Sequence, residues 1–174
     1  MTSRANGHDP EAREVPPPRR WHLTMGAFAL GALVVLVDQG TKVWAEATLT
    51  EGERIPLIDN LLGLQLAYNP GAAFSFGETF TPAFAVIAVV AALAAVIFAL
   101  RVQRPGWAIV IGVLGGAAAS HAGDRLFREP GFARGHVVDF LAYGDWFIGN
   151  VADIVIVAIA LPGALLMLRE RPGE

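Results

Sequence analysis

Four long apolar runs dominate the pattern of hydrophobic and polar positions along the chain. A helix needs about 20 mostly apolar residues to cross the hydrocarbon core of a bilayer. Gly112 and Gly116 in the third run, which is short, have the spacing of closely packed membrane helices, so we expect this span to be central. The pattern predicts four transmembrane helices, at about residues 21–45, 80–100, 107–123 and 146–168.

Two short segments between the first two spans have the partly alternating pattern of β-strands. These segments, "RIPLI" and "LGLQLAYN", are separated by Asp-Asn, which is a turn signal. We therefore expect a small extracytoplasmic β-sheet between helices 1 and 2 that rests on the bilayer surface. The predicted fold class is an all-α membrane bundle of four transmembrane helices with this sheet added.

The polar ends of the chain and the placement of arginine predict its orientation. Residues 1–20 are polar and rich in proline, which indicates a disordered tail, and residues 169–174 form a second short tail. Arginines occur before span one, between spans two and three, and after span four, and cytoplasmic segments are enriched in Lys and Arg. Both tails are therefore expected in the cytoplasm. A cleaved signal peptide is disfavoured, because Asp38 and Lys42 separate the first apolar run from the "AEA" that resembles a cleavage site.

Composition agrees with a membrane protein and excludes several classes of function. Hydrophobic residues make up 54% of the 174 residues and charged residues 17%, whereas a soluble domain carries about 25% charged residues. The net charge of −3 and the lack of a basic patch argue against a nucleic-acid partner. The absence of cysteine excludes disulfides, thiol nucleophiles and thiolate metal sites.

The ionisable residues near the spans collect at the predicted outer membrane surface. Asp38 and Lys42 are spaced i,i+4, which favours a structural ion pair. Asp124 and Arg125 close span three and are either an interfacial anchor or part of a site. Asp153 lies inside the fourth predicted span, where a carboxylate costs roughly 2.5–3.5 kcal/mol. Such a cost favours a functional role for Asp153.

Two aspartates brought close together could hydrolyse a peptide bond without a metal or a cofactor. In a poorly hydrated site the two cannot both ionise cheaply, so they share one proton. The ionised carboxylate can take a proton from water while the protonated carboxyl polarises the carbonyl. Asp153 supplies one carboxylate, and Asp139 and Asp124 compete for the other place.

Three other functions are compatible with these residues. A small four-helix proton-coupled transporter also uses intramembrane carboxylates, although it would place them near the midplane and often shows repeats. A non-catalytic assembly or chaperone subunit would explain the small-residue row alone. A hydrolase could hold Mg²⁺ between Asp139, Asp153 and His121.

Five motifs in a fixed order resemble those of the lipoprotein signal peptidases, also called signal peptidase II. "VDQGTKVWA" is similar to the family's D-x-x-[ST]-K, "NPGAAFSFG" to N-x-G-A-A-[FW], and "GGAAASHAGDR" to G-G-A-x-G-N-x-x-D-R. "HVVDF" is similar to V-V-D-F, and "NVADIVI" to N-x-A-D. Together these motifs cover most of the chain from Asp38 to Asp153.

The resemblance implies an aspartyl endopeptidase of the bacterial cytoplasmic membrane, with residues 21–168 as its transmembrane domain. Such an enzyme removes the signal peptide from diacylglyceryl-modified prolipoproteins by cutting before the lipidated lipobox cysteine. Membrane lipid and a globomycin-type inhibitor are the other expected partners. We expect a monomer without a metal or cofactor, whose active site lies near the outer face.

The resemblance also implies roles for individual residues. Asp139 and Asp153 match the catalytic pair, and Asp124 would support Arg125. Asp38 and Lys42 would be a structural pair. The residues expected to bind substrate or support the pair are Asn69, Gly71, Asp124, Arg125, Asn150 and His121.

This chain departs from the family pattern at three places. His121 stands where the family has asparagine, so a hydrogen-bond donor is kept but its charge varies with pH. The segment 126–136 is longer than is usual, and the stretch from Asp139 to Asp153 is shorter. Gly149 stands where the family usually has an aromatic residue.

Overall fold

Four long helices alternate with two pairs of strands in the computed structural model, which describes residues 20–71 and 81–169. Each helix is long and apolar enough to cross a membrane. Apart from Arg20 and Arg169, the two predicted tails lie outside the described residues. The elements are α1 Trp21–Thr48, β1 Arg54–Ile58, β2 Leu62–Asn69, α2 Thr81–Ala99, α3 Pro105–Phe127, β3 Val137–Tyr143, β4 Phe147–Gly149 and α4 Val151–Arg169.

The helix ends that carry polar residues differ most from the sequence prediction. Helix α3 continues to Phe127, so that Asp124 and Arg125 lie within its last turn instead of following it. Helix α4 begins at Val151, because Phe147–Gly149 pairs with β3 as a strand. Strand β4 and helix α4 belong to one apolar run, and hydropathy alone does not divide such a run.

The sheet is twice as wide as the sequence predicted. All of its strands are antiparallel in the order β1-β2-β3-β4, so half of the sheet comes from the connection between α3 and α4. The two predicted strands between α1 and α2 are present as β1 and β2, but the sheet extends beyond that connection, so the all-α label is not confirmed. Strand β3 was missed because it is central and almost fully buried, and such strands lack the alternation of polar and apolar residues.

Glycines allow α1 and α3 to pack very closely. A Cβ atom on Gly112 would lie 2.6 Å from the carbonyl oxygen of Ala27, and one on Gly116 would lie 2.5 Å from that of Gly31. Contacts this short exclude a larger residue unless the helices move apart. Helix α3 also packs against α2 and α4, as expected for the central span.

The sheet is anchored on the end of α1. Ala45 packs in one buried cluster with Leu66 of β2 and with Val138 and Phe140 of β3. The rings of Trp44 and Phe140 also meet edge to face, with their centroids 6.2 Å apart. This packing fixes β3, and with it Asp139, relative to the helices.

Candidate active site

Asp139 is a buried carboxylate that two neutral amides hold in place. It lies in the middle of β3 and is 3% exposed. The Nδ2 atom of Asn69 donates to its Oδ2 at 3.0 Å, and Nδ2 of Asn150 donates to its Oδ1 at 2.7 Å. Burial raises the pKa of Asp139 from 3.8 to about 6, although the two amides act in the opposite direction and the nearby charge of Asp153 adds to the rise. Asp139 is therefore suited to carry a proton.

Asp153 lies in the first turn of α4 and forms a capping box with Asn150. The backbone N–H of Asp153 donates to Oδ1 of Asn150 at 3.2 Å, and the backbone N–H of Asn150 donates to Oδ2 of Asp153 at 3.0 Å. This reciprocal pattern satisfies two donors at a helix start and fixes both side chains. The Asn-x-x-Asp spacing is therefore explained locally, because it is the spacing with which the two side chains cap the start of a helix.

Asn150 joins the two aspartates through a single side chain. Its Oδ1 caps the helix that carries Asp153, while its Nδ2 donates to Asp139. Both polar atoms of the amide are thus used, and rotation of the amide would break both contacts. The positions of the two carboxylates are therefore linked.

Asn69 and Arg125 hold the other side of Asp139. In the sheet register Ala67 is opposite Asp139, so Asn69 lies two residues along on the same face of β2. Oδ1 of Asn69 accepts from the backbone N–H of Gly71 at 2.9 Å, and its carbonyl oxygen accepts from Nη1 of Arg125 at 2.8 Å. Arg125 therefore supports Asp139 indirectly, through Asn69.

The long segment 126–136 folds back onto the end of α3 and holds Arg125. The backbone N–H of Gly135 donates to the carbonyl oxygen of Arg125, and the carbonyl oxygen of Gly135 accepts from Nη1 of Arg125 at 3.1 Å. A Cβ atom on Gly135 would lie 2.1 Å from the carbonyl oxygen of Asp124, so only glycine fits here. The extra length of this segment is thus part of the arginine's support.

The direct contacts of Asp124 are with groups other than Arg125, although the charges of the two residues interact. Its Oδ2 lies 2.7 Å from Nζ of Lys42, and its Oδ1 accepts from Nε of Arg128 at 2.7 Å. Adjacent residues on a helix point in different directions, so Asp124 faces α1 while Arg125 faces the sheet. Asp124 therefore belongs to an ionic network with α1.

Asp38 and Lys42 form the centre of that network. They lie 2.5 Å apart and are fully buried. Oδ1 of Asp38 accepts from the backbone N–H of Ala152 at 2.8 Å, and its Oδ2 accepts from the hydroxyl of Ser120 at 2.6 Å. Asp38 thus holds the first turn of α4, and its side chain acts on the start of the helix that carries Asp153.

Sequence reasoning missed four members of the ionic network. Arg128 forms an ion pair with Glu46 at 2.7 Å, and Nε2 of Gln39 donates to Asp124 and to Ser120. The i,i+4 spacing of Lys42 with Glu46, and of Asp124 with Arg128, was the available signal. The missed residues are Gln39, Glu46, Ser120 and Arg128.

A cavity of about 470 Å³ opens beside the two aspartates. Asp139, Asp153, His121 and Arg125 line its polar part, and residues of α2 and α3 such as Ala91 and Leu114 form apolar walls. Nε2 of His121 lies 3.4 Å from Oδ1 of Asp153, which is long for a hydrogen bond. Within the part of the chain that the structure describes, no three His, Asp or Glu side chains are grouped to hold a metal ion.

Phe147 explains why position 149 is glycine. Residues 147 and 149 lie on the same face of β4. A Cβ atom on Gly149 would lie 2.5 Å from the ring of Phe147 and 2.9 Å from Oδ2 of Asp153. The ring of Phe147 therefore covers the space that a side chain at 149 would need, and it forms part of the cavity wall.

Known proteins resemble this chain in fold and in sequence. A solved structure described as a bacterial membrane enzyme superposes with a TM-score of 0.70 at 23% identity, covering 85% of this chain and 93% of that one, which shows a common fold. A lipoprotein signal peptidase of Rhodococcus jostii is 35% identical over 94% of this chain and 80% of its own length. One from Bifidobacterium longum is 38% identical over 88% of this chain and 84% of its own length.

The match to a family model extends over nearly the whole membrane domain. Residues 30–169 match the model of signal peptidase (SPase) II. That range contains both aspartates, the capping box and the ionic network of α1 and α3. The proton-coupled transporter is not favoured by any of these similarities. The chain belongs to the signal peptidase II family and is an aspartic peptidase.

Proposed function

We propose that Asp139 and Asp153 are the catalytic carboxyl groups with which this signal peptidase II removes signal peptides from prolipoproteins. The observation that carries the proposal is that both carboxyls line one cavity and are joined by Asn150. Their surroundings differ, so that one carboxyl can hold a proton while the other is ionised. That is the state that aspartyl chemistry requires.

The proposed reaction needs only water and the two carboxyls. The ionised carboxylate takes one proton from water as the water oxygen attacks the peptide carbonyl carbon, and the protonated carboxyl gives its proton to the carbonyl oxygen. The resulting diol then collapses and the C–N bond breaks. The proton taken from water passes to the leaving nitrogen, and a diol hydroxyl returns a proton to the other carboxyl as the carbonyl re-forms. The products are the carboxyl end of the signal peptide and a free amino group.

The residues around Asp139 are proposed to place the peptide. Asn69 holds Asp139 directly, and Arg125 holds the backbone of Asn69. Gly71 has φ of +141°, which a larger residue rarely adopts, and a Cβ atom there would lie 2.6 Å from the ring of Phe84. This close backbone leaves room for an extended substrate strand beside the site.

The apolar walls of the cavity favour a lipid-bearing substrate. They are formed by Ile87, Ala88 and Ala91 of α2 and by Leu114 and Ala118 of α3. A diacylglyceryl group on the cysteine after the scissile bond would bury its chains there, at about 0.8 kcal/mol per CH₂. We therefore place the cut before the lipidated cysteine.

The proposed orientation puts the active site near the outer face of the bacterial cytoplasmic membrane. The sheet joins the ends of α1 and α3 to the starts of α2 and α4, so the α2–α3 connection with Arg101 and Arg104 lies at the other end of the bundle. Arginine-rich connections stay in the cytoplasm. Both termini are then cytoplasmic. Globomycin-type inhibition and action as a monomer belong to the same proposal.

Cleavage of a diacylglyceryl-modified prolipoprotein by the purified full chain in detergent, with EDTA present, tests this function. We expect cleavage before the lipidated cysteine, and a loss of at least about 10³-fold in kcat for Asp139→Asn and for Asp153→Asn. The control is Asp145→Asn, since the side chain of Asp145 is 96% exposed and lies outside the cavity.

Folding of each variant is checked by thermal unfolding, so that a lost reaction is not a lost structure. Full activity of folded Asp139→Asn or Asp153→Asn would overturn the assignment of the pair. Loss of wild-type cleavage in EDTA would overturn the metal-free reaction.

A further inference from the structure

His121 gives Asp153 a neighbour whose charge changes with pH. It lies on α3 one turn before Arg125, and its Nε2 faces Oδ1 of Asp153 at 3.4 Å. The other oxygen of Asp153 is held by the backbone N–H of Asn150. One oxygen of Asp153 thus faces a constant donor, and the other faces an imidazole, a side chain that can carry a positive charge.

The two aspartates therefore differ in the charge around them. Asp139 receives hydrogen bonds from the neutral amides of Asn69 and Asn150. Asp153 lies in the first turn of α4, where the helix dipole favours negative charge, and it faces a group that becomes a cation. Ionisation is thus favoured more at Asp153 than at Asp139, where burial opposes it.

We propose that His121 is a positioning residue that keeps Asp153 ionised, which makes Asp153 the base that takes the proton from water and leaves Asp139 as the acid. This inference rests on the proposed catalytic pair. In the reaction, the water proton passes to Asp153 and the proton of Asp139 passes to the carbonyl oxygen. His121 itself exchanges no proton in that step.

The other charged groups around His121 are held by other partners. Arg125 of α3 donates to the carbonyl oxygens of Asn69 and Gly135, and Lys42 of α1 is bound by Asp38 and Asp124. Tyr143 of β3 has its pKa raised by burial and by the charge of Asp153, so it stays neutral near pH 7. The described part of α2 carries no ionisable side chain. Among these side chains, His121 is the one whose nitrogen faces an oxygen of Asp153.

His121 is expected to lower the pH at which the acid limb of kcat lies. A protonated imidazole beside Asp153 opposes protonation of that carboxylate. The acid limb of kcat, where the base becomes protonated, therefore lies at a lower pH than it would without His121. An opposite charge this close shifts a carboxylate by about one to three pH units. The side chains of His121 and Asp153 are 20% and 30% exposed, so solvent screening places the shift at the lower end.

The test is the pH profile of kcat and KM for the full chain and for His121→Asn and His121→Leu. Asparagine keeps an N–H donor without the charge, and leucine removes both. We expect the acid limb of kcat to move up by about one pH unit in His121→Asn. In His121→Leu we expect the same movement and a further loss of kcat, because an apolar group then replaces the polar imidazole beside Oδ1 of Asp153. The alkaline limb, set by Asp139, stays in place.

Two results would overturn the role of His121. One is a pH profile of kcat for His121→Asn in which kcat falls by the same factor at every pH and the acid limb does not move. A residue with a purely structural role gives that result. The other is a raised KM with an unchanged kcat profile, which is what a substrate contact gives. Failure of the catalytic pair looks different, because folded Asp139→Asn or Asp153→Asn would then still cleave.

Discussion

Asp124 and Asp139 are both buried carboxylates at the same end of the bundle, but they differ in the charge of their direct partners. Asp124 is 1% exposed and faces two cations, Lys42 and Arg128. Asp139 is 3% exposed and is held by two neutral amides. Burial alone therefore does not make a carboxylate reactive, since the charge of its partners decides whether it can take a proton.

The ionic network around Asp124 and the surroundings of Asp139 also have different roles in the structure. In the ionic network each carboxylate faces a cation, so that its charge is compensated without water. Around Asp139 the direct partners are neutral amides, and the charges of Arg125 and Lys42 act on it from farther away. The first region holds the helices together, and the second surrounds the carboxyl group that we propose to be catalytic.

Removing the cation at the centre of the network should have the largest effect on stability. Lys42→Met leaves Asp38 and Asp124 buried without their shared partner. Breaking a buried ion pair in this way costs about 3–5 kcal/mol. We expect that loss in the free energy of unfolding, measured with a denaturant in detergent.

The surface pair of Arg54 with Asp145 provides the control for this measurement. These groups lie 3.2 Å apart, but Asp145 is 96% exposed, so Asp145→Asn should leave the unfolding midpoint unchanged. Wild-type stability in Lys42→Met would contradict the view that the network holds α1 against α3.

A smaller effect, with a defined dependence on pH, is expected from Asp139→Asn. Because the pKa of Asp139 is raised from 3.8 to about 6 in the fold, its contribution to stability is full below about pH 4 and is lost as the pH rises through 6. Asparagine does not titrate. The variant should therefore gain about 3 kcal/mol relative to wild type between pH 4 and pH 8.

Unfolding midpoints of both proteins at several pH values measure this gain. Asparagine can accept from only one of the two amides, so a constant offset is expected, but only a change with pH reports the titration. A difference that is constant over the whole range would show that Asp139 is not perturbed in the fold.

The smallest effect on stability is expected from Asn150→Ser. Serine caps a helix about as well as asparagine, so the cap is kept and the free energy of unfolding should fall only by the cost of one lost buried hydrogen bond, about 1–3 kcal/mol. The donor to Asp139 is lost, however, and that donor lowers the pKa of Asp139. The alkaline limb of kcat/KM, expected near pH 6 in wild type, should therefore move to higher pH.

Asn150→Ala is the matched variant, because it removes the cap as well. It should lose about 1 kcal/mol more than Asn150→Ser while showing the same movement of the limb. Equal stability of the two variants would mean that the capping box contributes nothing to α4.

The sequence was sufficient for the parts of the fold that depend on hydropathy. Four helices able to span a membrane are confirmed, since a long apolar run has few alternatives to a helix in lipid. The motifs also led to Asp139 and Asp153, whose catalytic role stays a prediction. These signals are local, and they do not depend on how distant segments pair.

The features that were missed depend on distant segments. Whether Phe147–Gly149 forms a strand is decided by β3, and an apolar run does not show where a strand ends and a helix begins. Likewise, Asp124 and Arg125 are neighbours in the chain but point to different elements. Adjacency in sequence suggested that Asp124 supports Arg125, and helix geometry separates the two.

The capping box of Asn150 and Asp153 has a consequence for how the enzyme matures. The same amide starts α4 and holds Asp139, so neither carboxyl is in place until α4 has formed its first turn against the sheet. If these carboxyls are the proposed catalytic pair, proteolytic activity would appear only once the bundle and the sheet have assembled.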